Sequence, residues 1–335
     1  MAGSVVSDVL DGAAREVVVT WPSFDPGDAS TGQRLVDAGL AVRLEPRTGP
    51  RSSDEVARIV GGAFGVIAST DPFDATVFER CPELRVIART GVGVDTIDLA
   101  AASAAGVVVT TTPGANEETV ADHTLALILA LVRRLAEHDA SVRAGRWERA
   151  GALTPGDLVG ATVGLVGSGV IGSAVARRVR AFGSRLLIAD PALDSFEGAE
   201  VVDLDTLLRL SDVVSLHVPL VASTRGLIGA EQLASMKPGS ILVNASRGGI
   251  IDESALVSAL RDGPLAAAGL DVFEHEPPVD SELASLPSVV LSPHIGGLST
   301  RAIAELTRRA VENVLAVHAG RMPADAVNAD RIATR

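Results

Sequence analysis

The stretch TVGLVGSGVIGSAVARRVRAFGSRLLIAD, residues 162–190, decides the fold expected of this chain. An apolar run leads into Gly167, Gly169 and Gly172, which are spaced as G-x-G-x-x-G, and an amphipathic helical segment follows them. A second apolar run then ends at Asp190. This order predicts a strand, a tight turn, a helix and a second strand with a carboxylate at its end.

The three glycines predict a binding site for a dinucleotide. Gly167 permits the tight turn, Gly169 lets the backbone approach a pyrophosphate, and Gly172 lets the helix pack closely on the strand. The N-terminus of the helix then offers its N–H groups to the anion. Because a carboxylate at Asp190 accepts hydrogen bonds from the ribose hydroxyls and repels a 2′-phosphate, we predict NAD rather than NADP. The alternative is a glycine-rich turn without a ligand, and the flanking strand, helix and acid disfavour it.

Short β-branched runs alternate with amphipathic helical segments along nearly the whole chain. Five strands are expected within residues 16–112 and six within residues 162–293, and one long helix over 117–145, capped by Asn116, joins the two series. A closing helix begins at Thr300. We therefore expect an α/β chain of two Rossmann-like or flavodoxin-like domains with parallel sheets, and an active site in the cleft between them.

Composition and charge exclude several classes of function. The chain has 335 residues, a net charge of −13 and a single lysine, Lys237, so no basic stripe exists to bind nucleic acid. Its one cysteine, Cys81, excludes an internal disulfide and a multi-cysteine metal site, and no metal is predicted. The N-terminal MAGSVVSDVLDGAARE lacks the pattern of a secretion signal, and TLALILALV (124–132) is too short to span a bilayer. We expect a cytoplasmic protein that does not contact the membrane.

Three charged residues follow successive apolar runs of the second series: Arg247 in VNASRGG, Glu276 in DVFEHEPP and His294 in LSPHIGG. Loops beyond the carboxyl ends of parallel strands meet at the ligand crevice, so these side chains should lie together. A histidine can move a hydroxyl proton near neutral pH, and a carboxylate on its far nitrogen stabilises the imidazolium. An arginine fork can hold a substrate carboxylate. Each residue alone has an ordinary structural explanation, but together with the glycine motif they predict hydride transfer from an alcohol.

These segments resemble the D-2-hydroxyacid dehydrogenases, specifically the branch that contains D-3-phosphoglycerate dehydrogenase. The resemblance covers nearly the whole chain and matches Arg247, Glu276 and His294 to the family's catalytic residues. It implies a discontinuous substrate-binding domain of residues 1–115 plus 300–335, and an NAD-binding domain of residues 116–299. It also implies a homodimer built largely on the helix after Asn116.

The resemblance further implies which residues contact the ligands. The expected cofactor contacts are Gly167, Ser168, Gly169, Val170, Ile171, Gly172, Asp190, His217, Val218, Pro219, Thr224, Ala245, Asp271 and Gly297. The expected substrate contacts are Thr70, Arg89, Val92, Gly93 and Arg247. The substrate should be a small molecule with a carboxylate or a similar anion.

The sequence does not choose among several substrates and one other function. Phosphoglycerate dehydrogenases of this branch commonly carry a cation after the third strand, where this chain reads ASTDP (68–72), so a phosphate pocket is in doubt. The 2-hydroxy acid can be 3-phosphoglycerate, a glyoxylate, hydroxypyruvate or lactate-like acid, or a phosphonate analogue. Formate dehydrogenases pair their histidine with glutamine, which Glu276 disfavours. An NAD-sensing corepressor-like module that binds proteins without turnover is the alternative from a different class.

Overall fold

The computed structural model describes residues 14–151 and 153–332. Most of the N-terminal stretch on which the absence of a secretion signal was predicted lies outside the described residues. The chain divides into two compact units. Unit 1 comprises Met1–Asn116 and Ser299–Arg335, and unit 2 comprises Glu117–Leu298.

Strands and helices alternate along the described part of the chain. The strands are β1 (Glu16–Val19), β2 (Ala41–Leu44), β3 (Gly65–Ala68), β4 (Val86–Arg89), β5 (Val108–Thr110), β6 (Thr162–Val166), β7 (Arg185–Ala189), β8 (Glu200–Val201), β9 (Val213–Leu216), β10 (Ser240–Asn244), β11 (Leu265–Leu270) and β12 (Val289–Leu291). The helices are α1 (Gly32–Asp37), α2 (Ser53–Val60), α3 (Ala75–Arg80), α4 (Leu99–Ala104), α5 (Glu117–Val132), α6 (Leu135–Arg143), α7 (Val170–Ala181), α8 (Leu204–Leu210), α9 (Ala230–Ser235), α10 (Glu253–Arg261) and α11 (Thr300–His318).

Unit 1 is built on a parallel sheet. Within residues 14–116 and 299–332, five strands pair in the order β2-β1-β3-β4-β5. Every residue of β3 and β4 is buried, as expected for central strands covered by helices on both faces. The helix α11 covers one face through Ala310, Val311 and Val314, so the end of the chain completes the core that its first third begins.

Unit 2 is a doubly wound sheet of seven parallel strands within its described residues. Their order is β12-β11-β10-β9-β6-β7-β8, so the winding direction reverses between β6 and β9. In open parallel sheets, ligands bind at such a switch point, beyond the carboxyl ends of the strands. The two parallel sheets confirm the predicted fold class.

Two elements differ from the sequence prediction. The prediction of one helix over 117–145 is wrong, because Arg134 adopts a left-handed φ of 50° and separates α5 from α6. The carbonyl of Val132, freed at this break, accepts the N–H of Gly156, which lies on a later loop. The short edge strand β8 was not predicted, since two residues are too few to show a periodic pattern.

Candidate active site

The glycine turn between β6 and α7 has the shape that a pyrophosphate requires. Gly167 has a φ of +89°, and a Cβ on it would lie 2.6 Å from the carbonyl oxygen of His217. A Cβ on Gly172 would lie 2.4 Å from the Gly167 oxygen, so the helix can pack on the turn only without a side chain there. A Cβ on Gly169 would meet nothing within 4 Å, which leaves the first turn of α7 open to a ligand. The following Val170 is 70% exposed and carries no charge. The backbone N–H groups of this turn are therefore the groups that fit the phosphates.

Asp190 directly follows β7 and is held in place by hydrogen bonds within the protein. Its Oδ2 accepts the backbone N–H and the hydroxyl of Ser168, each at 2.9 Å, and its Oδ1 accepts the Ala192 N–H at 3.0 Å. These hydrogen bonds, led by those from the backbone N–H groups of Ala192 and Ser168, lower the pKa of Asp190. The acid is therefore ionised at neutral pH, as recognition of ribose hydroxyls requires.

The loop after β9 forms the other side of the switch point. A Cβ on Gly167 would lie 2.8 Å from Cγ1 of Val218, so the two loops are in close contact. His217 Nε2 lies 3.0 Å from the Ser215 hydroxyl, and burial lowers the pKa of His217 to about 4. The imidazole is neutral at physiological pH and adds no charge beside the site. Pro219 is exposed just beyond it.

The other residues expected to contact the cofactor occupy loops or helix ends of unit 2. Thr224 accepts the N–H of Val221 at 2.9 Å and so stabilises the loop after β9. Ile171 lies in the first turn of α7, Ala245 follows β10, and Gly297 lies beyond β12; all three are partly buried. Their contacts with the cofactor stay predictions.

His294 and Glu276 form a hydrogen-bonded pair. His294 Nδ1 lies 2.8 Å from Glu276 Oε2, and Glu276 Oε1 accepts the N–H of Phe273 at 3.2 Å. His294 belongs to the histidine loop, residues 292–297, and has a left-handed φ of 55°. Its own N–H donates to the carbonyl of Asp271 at 2.8 Å. Because Glu276 occupies Nδ1, the opposite nitrogen, Nε2, is the one that can exchange a proton with a substrate.

The buried carboxylate of Asp271 shapes the histidine loop. It accepts the Ser292 hydroxyl at 2.6 Å, the Ile295 N–H at 2.9 Å and the Gly296 N–H at 2.7 Å. His123 on α5 lies 2.9 Å from the Ser292 hydroxyl and 3.4 Å from the carboxylate. Burial alone would raise the pKa of Asp271, but these hydrogen bonds outweigh it and lower the pKa. The predicted cofactor contact of Asp271 stays untested, whereas its hold on the loop is direct.

Arg247 lies on a loop that Asn244 organises. The Asn244 side chain accepts the N–H and the hydroxyl of Ser246 at 3.0 and 2.7 Å, and it donates to the Arg247 carbonyl at 2.8 Å. A Cβ on Gly248 would lie 1.9 Å from the carbonyl carbon of Phe273. The arginine loop, residues 245–248, therefore packs directly against Phe273, in the segment that leads to Glu276.

The three predicted catalytic residues follow adjacent strands. The last residues of β10, β11 and β12 lie in register, and Arg247, Glu276 and His294 follow them in that order. One edge of the unit 2 sheet therefore carries the hydrogen-bonded His294–Glu276 pair and the guanidinium of Arg247. This arrangement can move a proton and bind a carboxylate.

The residues predicted to contact the substrate from the first third of the chain lie in unit 1. Thr70 follows β3, and its hydroxyl accepts a hydrogen bond from Nη1 of Arg47. Arg89 is the last residue of β4 and is buried. Val92 is exposed, and Gly93 is partly exposed on the next loop. These contacts with a substrate stay predictions.

Sequence reasoning missed several residues that build these loops. Asn244 ends the apolar run SILVN before a turn, a position where asparagine often folds the backbone, and that signal was available. Ser292 and Arg47 carried no such signal. His123 was predicted to be structural or solvated, and its hydrogen bond to Ser292 fits a structural role. His275, next to Glu276, is exposed.

Two absences hold for the described residues. Between 14 and 332, leaving out 152, no cluster of three or more His, Cys, Asp or Glu side chains is placed to bind a metal. Over the same residues, none of the helices combines the length and the apolar character needed to cross a bilayer.

Comparisons with known proteins agree on one family. The family model described as D-isomer specific 2-hydroxyacid dehydrogenase, NAD binding domain, matches residues 125–296. A glyoxylate reductase of Korarchaeum cryptofilum is 46% identical over 274 residues, which cover 79% of this chain and 82% of that protein. A D-3-phosphoglycerate dehydrogenase of Mycobacterium leprae is 42% identical over 299 residues, 88% of this chain but only 56% of that longer protein.

A solved structure agrees with these sequence matches. The TT0316 protein of Thermus thermophilus superimposes with a TM-score of 0.85 at 43% identity. The match covers 93% of this chain and 99% of that one. The similarity therefore extends over both units of the chain.

Proposed function

The chain belongs to the D-isomer-specific 2-hydroxyacid dehydrogenase family and is an NAD-dependent oxidoreductase of CH–OH groups, and from this premise we propose how its residues act. The proposed reaction interconverts a small 2-hydroxy acid and its 2-oxo acid. His294 is the acid/base, Glu276 supports it, and Arg247 binds the substrate carboxylate. NAD held at the Gly167–Gly172 turn would supply the hydride acceptor for the oxidation and, as NADH, the hydride donor for the reduction.

His294 moves the proton that accompanies the hydride. In the oxidation, Nε2 takes the proton of the substrate hydroxyl, and in the reduction the imidazolium returns a proton to the carbonyl oxygen. Glu276, 2.8 Å from Nδ1, holds the ring orientation and stabilises the imidazolium in both directions. This pair is the single observation that carries the proposal, because a carboxylate on Nδ1 leaves Nε2 of a partly exposed imidazole to exchange a proton.

Arg247 supplies a guanidinium on the adjacent loop. A planar fork can hold a carboxylate with two parallel hydrogen bonds, and its charge favours the negative oxygen that develops on the substrate carbonyl. Asn244 and Gly248 keep the arginine loop packed against the segment before Glu276. We assign substrate binding also to unit 1, through Thr70, Arg89, Val92 and Gly93.

The proposal is tested by NADH oxidation with a panel of 2-oxo acids. Glyoxylate, hydroxypyruvate, pyruvate and 3-phosphohydroxypyruvate are each added to enzyme and NADH, and loss of NADH absorbance is followed. We expect turnover of at least one of them and none when the 2-oxo group is absent. Tight NADH binding without turnover of any 2-oxo acid would contradict the proposal and favour the protein-binding alternative.

We also propose a homodimer, built on α5 and the segment that follows it. Leu135 and Val142 on α6 are exposed, and Trp147 beyond them is 77% exposed. Exposed large apolar side chains grouped within one short segment are typical of an interface. Light scattering should give twice the chain mass for the wild type and for a control with Val36→Glu on α1, and a reduced mass for Trp147→Glu. A wild type that stays monomeric at high concentration would refute the dimer.

A further inference from the structure

The helix α5 packs closely on β11. A Cβ on Gly269 would lie 3.3 Å from Leu127 Cβ and 2.9 Å from Leu131 Cδ1, so the absence of a side chain there lets the helix approach the strand. Side chains four residues apart share one face of a helix. His123, one turn before Leu127, therefore lies on the face of α5 that covers this strand.

His123 meets the residue that directly follows β11. Residues two apart along a strand point to the same side, so Asp271 faces α5 as Gly269 does. His123 Nε2 lies 3.4 Å from Asp271 Oδ1 and 2.9 Å from the Ser292 hydroxyl. The His123 side chain is only 20% exposed, and a Cβ on Gly296 would lie 3.3 Å from its Cδ2. His123 therefore packs directly against the histidine loop.

The hydrogen bonds identify the nitrogen of His123 that carries a proton. The Ser292 hydroxyl has a single hydrogen and donates it to Asp271 Oδ1 at 2.6 Å. Toward His123 the same hydroxyl oxygen can only accept, so Nε2 of His123 is the donor. Burial raises the pKa of Asp271, and the hydrogen bond from His123 is the largest of the effects that lower it. The first helix of unit 2 is thus joined through Ser292 to the buried carboxylate.

This chain of hydrogen bonds reaches the acid/base through the backbone. Asp271 also accepts the two backbone N–H groups that follow His294 in the histidine loop. Without the His123 donor, the Ser292 hydroxyl is free to turn and the carboxylate loses part of what orients it. We propose that His123 is a positioning residue: its Nε2–H fixes the Ser292 hydroxyl on Asp271 and so keeps the loop conformation that presents His294 to the substrate. This inference rests on the proposed function, since it concerns the position of the same acid/base.

The test compares side chains that keep or lack the donor. His123→Gln retains an N–H group near the place of Nε2, whereas His123→Phe retains a ring without a donor. Kinetics are measured with the 2-oxo acid of the panel that the wild type reduces fastest. In His123→Phe, kcat should fall about 10- to 100-fold because His294 is displaced, with KM for the 2-oxo acid within about twofold of the wild type. His123→Gln should keep kcat within about threefold of the wild type, because the donor is retained.

Two further readouts separate positioning from a general loss of stability. Hydrogen exchange at the N–H groups of Ile295 and Gly296 should become at least about tenfold faster in His123→Phe and stay unchanged in His123→Gln. The isotope effect on kcat from NADH deuterated at the transferred hydrogen should rise in His123→Phe, since the chemical step becomes slower. Asp122→Asn, on the same helix and 71% exposed, is the control and should change neither readout.

A double-mutant cycle keeps the test decisive if His123→Phe also lowers Tm. Ser292→Ala removes the hydroxyl through which His123 is proposed to act. The two losses in kcat should then overlap, and the double variant should lie within about twofold of the slower single variant. Losses that multiply would overturn the inference, because the two side chains would then act separately.

The outcomes distinguish the inference from the proposed function. Turnover of a 2-oxo acid by the wild type, with kcat unchanged in His123→Phe or reduced equally in His123→Gln, would overturn the inference and leave the proposed function intact. Turnover of none of the 2-oxo acids by the wild type would overturn both. A fall in kcat in His123→Phe alone, with faster exchange in the histidine loop, supports both.

Discussion

Replacing Asp271 with asparagine should weaken the fold and the catalysis together. The carboxylate accepts the N–H groups of Ile295 and Gly296 and the hydroxyl of Ser292 in a buried position. An asparagine in either orientation directs its NH2 at one of the two backbone N–H groups. One buried donor then loses its acceptor, and the remaining hydrogen bonds lose their charge.

The size of the effect follows from these contacts. An unsatisfied buried donor costs about 1–3 kcal/mol, and a hydrogen bond to a charged group contributes about 1.5–3 kcal/mol, so we expect a total near 2–4 kcal/mol. His294 lies between Ser292 and Ile295, which Asp271 holds in place. Displacement of a catalytic group by about 1 Å can lower turnover by up to about 100-fold. We therefore expect kcat to fall at least about tenfold.

Urea unfolding measures the lost stability, hydrogen exchange at Ile295 and Gly296 reports on the loop, and steady-state kinetics measure the change in kcat. Asp194→Asn, on an exposed loop, is the matched control and should change none of these. Because the pKa of Asp271 is lowered in the folded protein, its carboxylate stabilises the fold above the unfolded-state pKa of about 3.9. This stabilisation is lost as the pH falls through the pKa of the folded state. Asp271→Asn should therefore flatten the acid limb of stability. A free energy of unfolding of Asp271→Asn within about 0.5 kcal/mol of the wild-type value, together with an unchanged kcat, would refute the reasoning.

Three further predictions concern the cofactor and the catalytic loops. Asp190→Ser should improve kcat/KM for NADPH relative to NADH about tenfold or more, since like charges at a binding site cost about one to several kcal/mol; an unchanged ratio in a cofactor assay would count against the ribose contact. Gly248→Ala should lower Tm, because its Cβ would lie 1.9 Å from the Phe273 backbone, whereas Gly249→Ala, which faces only flexible side chains, should not; equal Tm values by calorimetry would contradict this. Glu276→Gln should lower kcat about 10- to 100-fold with NADH affinity retained, which fluorescence titration and initial rates can check.

Much of the fold could be predicted from the sequence because its signals are local. Central strands such as β3 and β4 are short runs that are buried along their whole length. The glycine motif lets α7 pack closely on the turn that follows β6, immediately before it in the chain. The catalytic candidates could be named because adjacent parallel strands end at one edge. Each of these inferences needs only the order of neighbouring segments.

The remaining features depend on residues far apart in the chain. At the helix break near Arg134, the free carbonyl of Val132 accepts a hydrogen bond from the N–H of Gly156. No glycine or proline at the break signals it in the sequence. His123 meets Ser292 across 169 positions. Such contacts are set by tertiary packing, so a pattern read along the chain cannot show them. The same holds for Arg47, which reaches Thr70 across 23 positions.

The most direct test of the central claim is a single-turnover measurement of NADH oxidation in His294→Asn. Enzyme and NADH are mixed rapidly with a 2-oxo acid that the wild type reduces, and the first turnover is followed. We expect the rate to fall about 10²- to 10⁴-fold, because the proton donor is absent, with NADH affinity within about twofold of the wild type. His275→Asn, at the exposed neighbouring histidine, should react at the wild-type rate. A rate in His294→Asn close to that of the wild type would contradict the assignment of His294 as the acid/base.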